Sequence, residues 1–531
     1  MKALVLSLVA GLCMTCQAPS QVTPERLLNA AHDPGNWLTY SGGYQSWRYS
    51  SLEQVRRDNV QNLKVKWVYQ MPTTHIVETT PLVVDGVMYV SEPPSNVVAL
   101  DAATGRPYWR YHRVLPKKIN VCCGEVNRGV AVLGDRVFVG TVDAHLVSLD
   151  AKTGAVLWDV KVAESRTGHA ITVAPLAVKD MIVCGISGGE YGIRGFLDAY
   201  DALTGKRRWR FWSVPAPGQP GSETWTGNSW KTGGGPTWVT GSYDAAQNLV
   251  IWGTGNPSPD WNGDSRPGDN LYTDSAIALD ADSGKLKWYF QFVPHDTHDW
   301  DAVQVPVLVD DEWHGQPRKL VYWAHRNGFY YVLDRETGKF LFGKPFATQT
   351  WAKGLDGAGR PITRPNIDPS AEGTYLWPGV QGATNWYSPS YSPLTKLFYL
   401  AVWENRSVYR KGEQEYTAGN RYIGSVPLID LPEEPGTGAV RALNPETGAC
   451  VWEYKLHTKP WAGVLSTAGQ LVFGGSDEGY FFALNAETGK EVWRQNLGGV
   501  IRANPMTYLS EGKQVVAIAA GSAIFTFQLD K

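Results

Sequence analysis

One phrase recurs through this chain. It reads ALDAATGRPYW at 99–109, SLDAKTGAVLW at 148–158, AYDALTGKRRW at 199–209, ALDADSGKLKW at 278–288, VLDRETGKFLF at 332–342, ALNPETGACVW at 442–452 and ALNAETGKEVW at 483–493. Each copy is a short apolar strand, an Asp or Asn, a Thr-Gly or Ser-Gly turn, and a second strand ending in Trp or Phe. The acidic or amide side chain bonds the backbone ahead of it, and glycine accepts positive φ. Further strand signals lie between the copies, such as PLVVDGVMYV (81–90) and VAVLGDRVFVG (130–140), each with a hairpin turn. A unit of about 40–50 residues with four strands is the period of a propeller blade. Adjacent copies start 49, 51, 79, 54, 110 and 41 residues apart, so the third and fifth gaps must hold insertions or degenerate blades. The stretches 237–255 and 387–403 read as strand pairs inside those gaps, and 62–71 reads as the last strands of an earlier blade. That counts to seven or eight blades. The expected fold is all-β, with the repeated Trp or Phe packed between blades.

Composition agrees and excludes alternatives. Of 531 residues, 43% are hydrophobic and 19% charged, so the chain packs a core and is not disordered. The 23 Trp, 25 Tyr and 56 Gly suit short strands and tight turns. A net charge of -2 gives no reason to expect nucleic acid or an acidic membrane surface as a partner.

The N-terminus reads as an export signal. Lys2 is the basic region, and Ala3 to Leu12 is an apolar run too short to span a bilayer. Small residues allow cleavage after Ala18, which gives a signal peptide at 1–18 and a single propeller domain at 19–531. Cys16 sits in a poor lipobox. The exported chain keeps Cys122, Cys123, Cys184 and Cys450, and an oxidising compartment lets a disulfide persist. No C-x-x-C-H is present, so no covalent c-type haem is expected in this sequence.

A propeller gathers its loops around a central channel, so residues that depart from the repeat are the site candidates. Cys122 and Cys123 are neighbours. Their Cα atoms lie about 3.8 Å apart, below the usual disulfide range of roughly 4.4–6.8 Å. They either close a rigid ring or stay as two buried free thiols. Ser187, Gly188 and Gly189 let a ligand approach the backbone, and Glu190 adds a carboxylate; an ordinary glycine turn reads the same way. Trp238 offers an aromatic face. Asn256 offers a carbonyl oxygen to a hard cation, or forms an Asx-turn. Asp296, Asp299 and Asp301 crowd into six residues, which calls for a cation, protonation or plain solvation. A zinc site on His295 and His298 is the weaker reading, because no further ligand set is spaced for it. Arg326 suits an anionic ligand, or is a surface arginine.

In order along the chain stand VCCGEVNRG, SGGE, GGGPTW, GTGNPSP, HDTHDWD, HRNGFYYVLDR, GATNWYSPS and WAGVLSTAGQLVF. From about Asn36 onward this combination resembles the soluble quinoprotein alcohol dehydrogenases, the methanol/ethanol dehydrogenase family that uses pyrroloquinoline quinone (PQQ). The resemblance implies an eight-bladed propeller with PQQ in its channel, and no fused cytochrome domain. It implies a Cys122–Cys123 disulfide stacked on one face of the quinone and Trp238 on the other. Glu78, Arg128, Thr172, Ser187, Gly188, Gly189, Arg326 and Asn385 match polar contacts of the cofactor, and Trp461 an aromatic wall. Glu190 and Asn256 match metal ligands, and Asp299 a ligand that is also the catalytic base. Asp301, two residues on, resembles the extra carboxylate of lanthanide-dependent members, which favours a lanthanide over Ca²⁺; the alternative is that Asp301 bonds Arg326 or the backbone. Pro236, where the family often has Thr or Ala, is a departure. The resemblance implies a periplasmic enzyme that oxidises alcohols and passes electrons to a separate cytochrome c. The alternatives are a sugar or polyol quinoprotein dehydrogenase and a non-catalytic propeller scaffold. The stretches 262–274 and 404–436 are expected to cover the channel mouth.

Overall fold

A computed structural model describes residues 22–428 and 434–530. The signal peptide read at 1–18 lies outside the described residues.

Eight four-stranded antiparallel sheets follow one another around a ring. Blades 1 to 5 span 82–111, 131–161, 176–212, 242–291 and 307–345; blades 6 and 7 span 390–456 and 465–496. Blade 8 closes the ring with both ends of the chain. Its strands Met506–Ser510, Lys513–Ala520 and Ala523–Leu529 are completed on the outside by Leu63–Gln70, which pairs antiparallel with Ala523–Leu529. The stretch 62–71 is therefore one outer strand of the closing blade, and not the end of an earlier blade. Blade 7 takes a fifth strand, Tyr49–Ser50, parallel to Leu465–Thr467.

Burial follows position within a blade. Met181–Gly185, an inner strand, is buried along its whole length, whereas the outermost strand Val156–Lys161 carries no buried residue. The repeat works as an inter-blade clasp. The indole N–H groups of Trp67, Trp109, Trp158 and Trp209 donate to the carbonyls of Ala102, Ala151, Ala202 and Ala281 on the next blade, at 2.9–3.2 Å. Trp288 and Trp452 do the same to Arg335 and Ala486. The ring lies on the turn glycine of that next blade: a Cβ on Gly284 would stand 2.6 Å from Trp209. The turn itself is held by its aspartate, as Asp280 Oδ1 accepts from Ser283 N at 3.0 Å.

The long gaps hold real insertions. The strands Ser242–Asp244 with Leu249–Gly253, and Ser390–Ser392 with Leu397–Glu404, are the expected strand pairs. The two insertions also meet each other. Asn262 Nδ2 donates to Gly412 O at 2.9 Å, Trp261 N to Ile423 O at 3.0 Å, and Tyr422 N to the backbone oxygen of Glu190 at 2.6 Å. They brace the turn that carries Glu190. Among the described residues no helix is long and apolar enough to cross a membrane.

Candidate active site

Each of the eight connections between blades sends a side chain to one cavity. Glu78 comes from the connection into blade 1, Cys122, Cys123 and Arg128 from the next, and Thr172 from the third. Trp238, Asp299 with Asp301, Asn385, Trp461 and Arg502 follow in turn. Turns inside blades 3 and 5 add Ser187, Gly188, Glu190 and Arg326. The cavity holds about 300 Å³, within the range that takes a drug-sized ligand. Of the residues that the resemblance assigned to the site, only Gly189 and Asn256 are not on its wall. Gly189 backs onto Pro236, with a Cβ there 3.1 Å from the proline ring. Asn256 is buried, and its backbone N–H donates to Asp301 Oδ1 at 2.8 Å.

Cys122 and Cys123 form a disulfide; Cys184 and Cys450 are free. Cys123 Sγ lies 3.5 Å from Glu190 Oε1. This is a contact and neither a hydrogen bond nor a thiolate metal site, because a disulfide sulfur carries no proton or charge. Gly188 needs to be glycine: its φ is +123°, and a Cβ would meet Gly168 O at 2.1 Å.

One end of the cavity is cationic. Arg128 pairs with Glu78 at 2.7 Å and donates to Thr172 Oγ1 at 3.0 Å, while its guanidinium lies 4.7 and 4.8 Å from the rings of Trp238 and Trp386. Burial pushes the Glu78 carboxyl up, against the pull of Arg128 and Arg502. Ser187 and Asn385 are steadied by backbone oxygens, Ala170 at 2.8 Å and Gln381 at 2.9 Å.

The other end is anionic. Asp299 and Asp301 flank Trp300, whose buried ring fixes the loop between blades 4 and 5. Arg326 Nη2 lies 3.4 Å from Asp299 Oδ2, and Arg326 Nη1 donates to Asp301 Oδ2. Asp301 thus does bond Arg326 and the backbone, and it also faces the cavity. Burial drives the Asp299 carboxyl well above its ordinary value; Arg326 opposes this, and Asp301 and Glu190 add to it. Burial also raises Glu190, with Asp301 adding to it, and raises Asp301 against Arg326. Asp296 is used differently, accepting from His298 N at 3.0 Å and Trp300 N at 2.9 Å inside its own loop. His298 stacks on Trp300 with Nε2 3.0 Å from Ile367 O, and His295 Nδ1 lies 2.9 Å from Gly268 O. Neither histidine lines the cavity, and among the described residues neither joins a group of three potential metal ligands, which removes the zinc reading.

Sequence reasoning did not single out Gln381, Trp386, Arg502 or Asp260. Trp386 follows Asn385 in a quoted motif, and Arg502 sits where the last inter-blade connection must pass, so both had a signal. Pro236 lines the cavity and packs on Gly189 and Gly255, with its carbonyl accepting from Gly255 N at 2.6 Å.

A propeller with a disulfide, cationic and carboxylate groups around its channel defines a class, and the comparisons narrow it. The model for the "Glucose/ethanol/alcohol dehydrogenase, beta-propeller domain" matches residues 37–345, and the model for outer membrane protein assembly factor BamB matches the repeats at 436–530. The chain belongs to the PQQ-dependent quinoprotein alcohol dehydrogenases. It is 38% identical to quinoprotein alcohol dehydrogenase PedH of Pseudomonas putida, over 97% of this chain and 90% of that one. It is 36% identical to the lanthanide-dependent methanol dehydrogenase of Methylacidiphilum fumariolicum, over 94% and 86%. Among solved structures, a europium-containing methanol dehydrogenase superposes with a TM-score of 0.90 at 33% identity, over 95% of this chain and 100% of that one. The Comamonas testosteroni quinohemoprotein alcohol dehydrogenase gives 0.92 at 34%, over 96% and 82%. The protein is an enzyme that oxidises alcohols with PQQ and a metal ion, which sets aside the scaffold reading.

The cavity suits both groups. Arg128 Nε and Arg326 Nε are buried donors without an acceptor, as a polycarboxylated ligand requires. Glu190, Asp299 and Asp301 crowd buried negative charge that a cation offsets.

Proposed function

We propose that this chain is an exported, periplasmic enzyme that converts alcohols to aldehydes or ketones with a lanthanide as its metal, and passes electrons to a separate c-type cytochrome. The observation that carries the reading is that three buried carboxylates, Glu190, Asp299 and Asp301, line the same cavity, the latter two paired with Arg326. A trivalent ion gains more than a divalent one from a third carboxylate, because the attraction scales with ionic charge. The names of two relatives, a lanthanide-dependent and a europium-containing methanol dehydrogenase, support the same choice.

In this reading the disulfide Cys122–Cys123 and Trp238 would stack on the cofactor, Glu78, Arg128, Thr172, Ser187, Gly188, Gly189 and Asn385 would meet its polar groups, and Trp461 would add an aromatic wall. Glu190, Asn256, Asp299 and Asp301 hold the ion. When bound, PQQ supplies a two-electron acceptor and the cation a Lewis acid that polarises the quinone carbonyl. Asp299 takes the hydroxyl proton of the alcohol. Arg326 keeps the Asp299 carboxylate turned to the cavity and opposes its protonation. The insertions at 262–274 and 404–436 are taken to cover the channel mouth, and a primary or secondary alcohol larger than methanol is the expected substrate. The export reading rests on the apolar run at 3–12, and the single propeller domain is taken as 19–531.

The test is dye-linked alcohol oxidation by metal-stripped protein given PQQ with La³⁺ or with Ca²⁺. Activity with La³⁺ alone is expected. Activity with Ca²⁺ and none with La³⁺ removes the lanthanide assignment and keeps the enzyme.

A further inference from the structure

Asp260 lies four residues after Asn256, in the insertion between the second and third strands of blade 4. It is 0% exposed; no group bonds either carboxylate oxygen in full hydrogen-bond geometry, and the Asn256 side chain acts on it as a hydrogen-bonding neighbour. Its position is fixed without the carboxylate. Pro259 O accepts from Arg266 Nε at 3.3 Å and Nη2 at 2.9 Å, and Trp261 N donates to Ile423 O at 3.0 Å. Arg266 is within electrostatic reach, but its N–H groups go to Pro259 O, Asp296 O and Asn270 Oδ1. A carboxylate that closes no turn and caps no backbone group, yet is kept fully buried, is costly unless something else meets its charge. The groups that act on it most strongly are Asp299 and then Glu190, with Asn256 and Asp301 also in reach. Its carboxylate is therefore enclosed with Asn256 near those carboxylates, without lining the cavity itself.

We propose that Asp260 is a further anionic member of the cation site, beside Asn256, and that its charge raises the preference of the site for a trivalent over a divalent ion. The inference rests on the metal-site reading above and adds a residue to it. The attraction of a fixed negative charge is linear in the charge of the ion. Neutralising Asp260 therefore costs a trivalent ion one and a half times the log affinity that it costs a divalent ion. Outer partners of metal sites typically change affinity by about 10–100-fold. A loss of about 30-fold for the trivalent ion then goes with about 10-fold for the divalent one.

The experiment titrates PQQ-loaded, metal-stripped protein with Tb³⁺, read by tryptophan-sensitised luminescence, and with Ca²⁺ by competition. The variants are Asp260→Asn and Asp260→Glu, with Asp264→Asn as the control; Asp264 is an exposed residue paired with Lys411 at 2.8 Å. Folding is checked by near-UV circular dichroism. Asp260→Asn is expected to lose about 10–100-fold in Tb³⁺ affinity and less for Ca²⁺, while Asp264→Asn binds as wild type. A folded Asp260→Asn with unchanged Tb³⁺ affinity, or with equal losses for both ions, overturns the proposal. If Asp260→Asn does not fold, Asp260→Glu decides: a Tb³⁺/Ca²⁺ ratio close to wild type supports the charge role, and a collapsed ratio overturns it. Wild-type protein that binds neither ion ends the metal-site reading itself, before any variant is compared.

Discussion

Asp299 has a backbone φ of 61°, a conformation that L residues other than Asn and Asp seldom adopt. Asn is therefore the replacement that keeps the loop while removing the proposed base. Asp299→Asn is expected to lower kcat by about 10²–10⁴ and to leave PQQ binding, followed by its absorbance, in place. A kcat within tenfold of wild type with PQQ bound would remove Asp299 from the role. His325, next to Arg326, makes a separate prediction. It is fully buried, stacks on Phe292 at 4.7 Å, and accepts from Asn327 N at Nδ1. Burial holds its imidazole down at about 3. The unfolded chain takes up this proton below about pH 6.5 and the native chain does not until about pH 3. The contribution is complete above 6.5 and fades as pH falls, by about 2 kcal/mol at pH 5. Asn at 325 keeps an acceptor and removes that slope. Urea unfolding at pH 7 and pH 5 should show the variant losing about 2 kcal/mol less than wild type over this interval.

At the scale of the element, the clasp of Trp on a turn glycine is what each blade offers its neighbour. Gly284 and Gly218 both have positive φ, +67° and +83°, but only Gly284 lies under a tryptophan; a Cβ on Gly218 meets nothing within 4 Å. Alanine at either position strains the backbone by about 1–2 kcal/mol. At 284 it also lifts Trp209, for a further ~1–3 kcal/mol. Equilibrium unfolding of the two variants should differ by that second amount, and equal losses would mean the clasp contributes nothing. The clasp was legible because each eleven-residue copy carries both halves, a turn that receives the Trp of the blade before and a Trp for the turn of the blade after. The strand at 62–71 was not, since its partner, Ala523–Leu529, sits at the far end of the chain. Local pattern reports that a stretch is a strand; it carries no record of the strand beside it. Asp260 was hidden for a related reason. In a loop rich in Gly, Pro and Asp it reads as solvated, and only the packing of the two insertions buries it.

At the scale of the molecule, the site depends on the closed ring. Every inter-blade connection contributes to the cavity, from Glu78 ahead of blade 1 to Arg502 ahead of blade 8. The motifs at 121–129 and 295–301 announced their chemistry in sequence. Their meeting place was legible only once the repeat implied a ring, and Arg502 was marked only by its place in the last connection, not by a motif. A ligand held by all eight connections binds only the closed form. It should therefore stabilise the whole ring and no single blade. With PQQ and La³⁺ at about a hundred times their dissociation constants, each adds roughly 2.7 kcal/mol to unfolding. Scanning calorimetry of the metal-stripped and loaded protein should show one transition that moves up as a unit. A transition that stays at its ligand-free temperature while another rises would mean that part of the ring unfolds without releasing the cofactor. The cavity would then depend on fewer blades than its walls suggest.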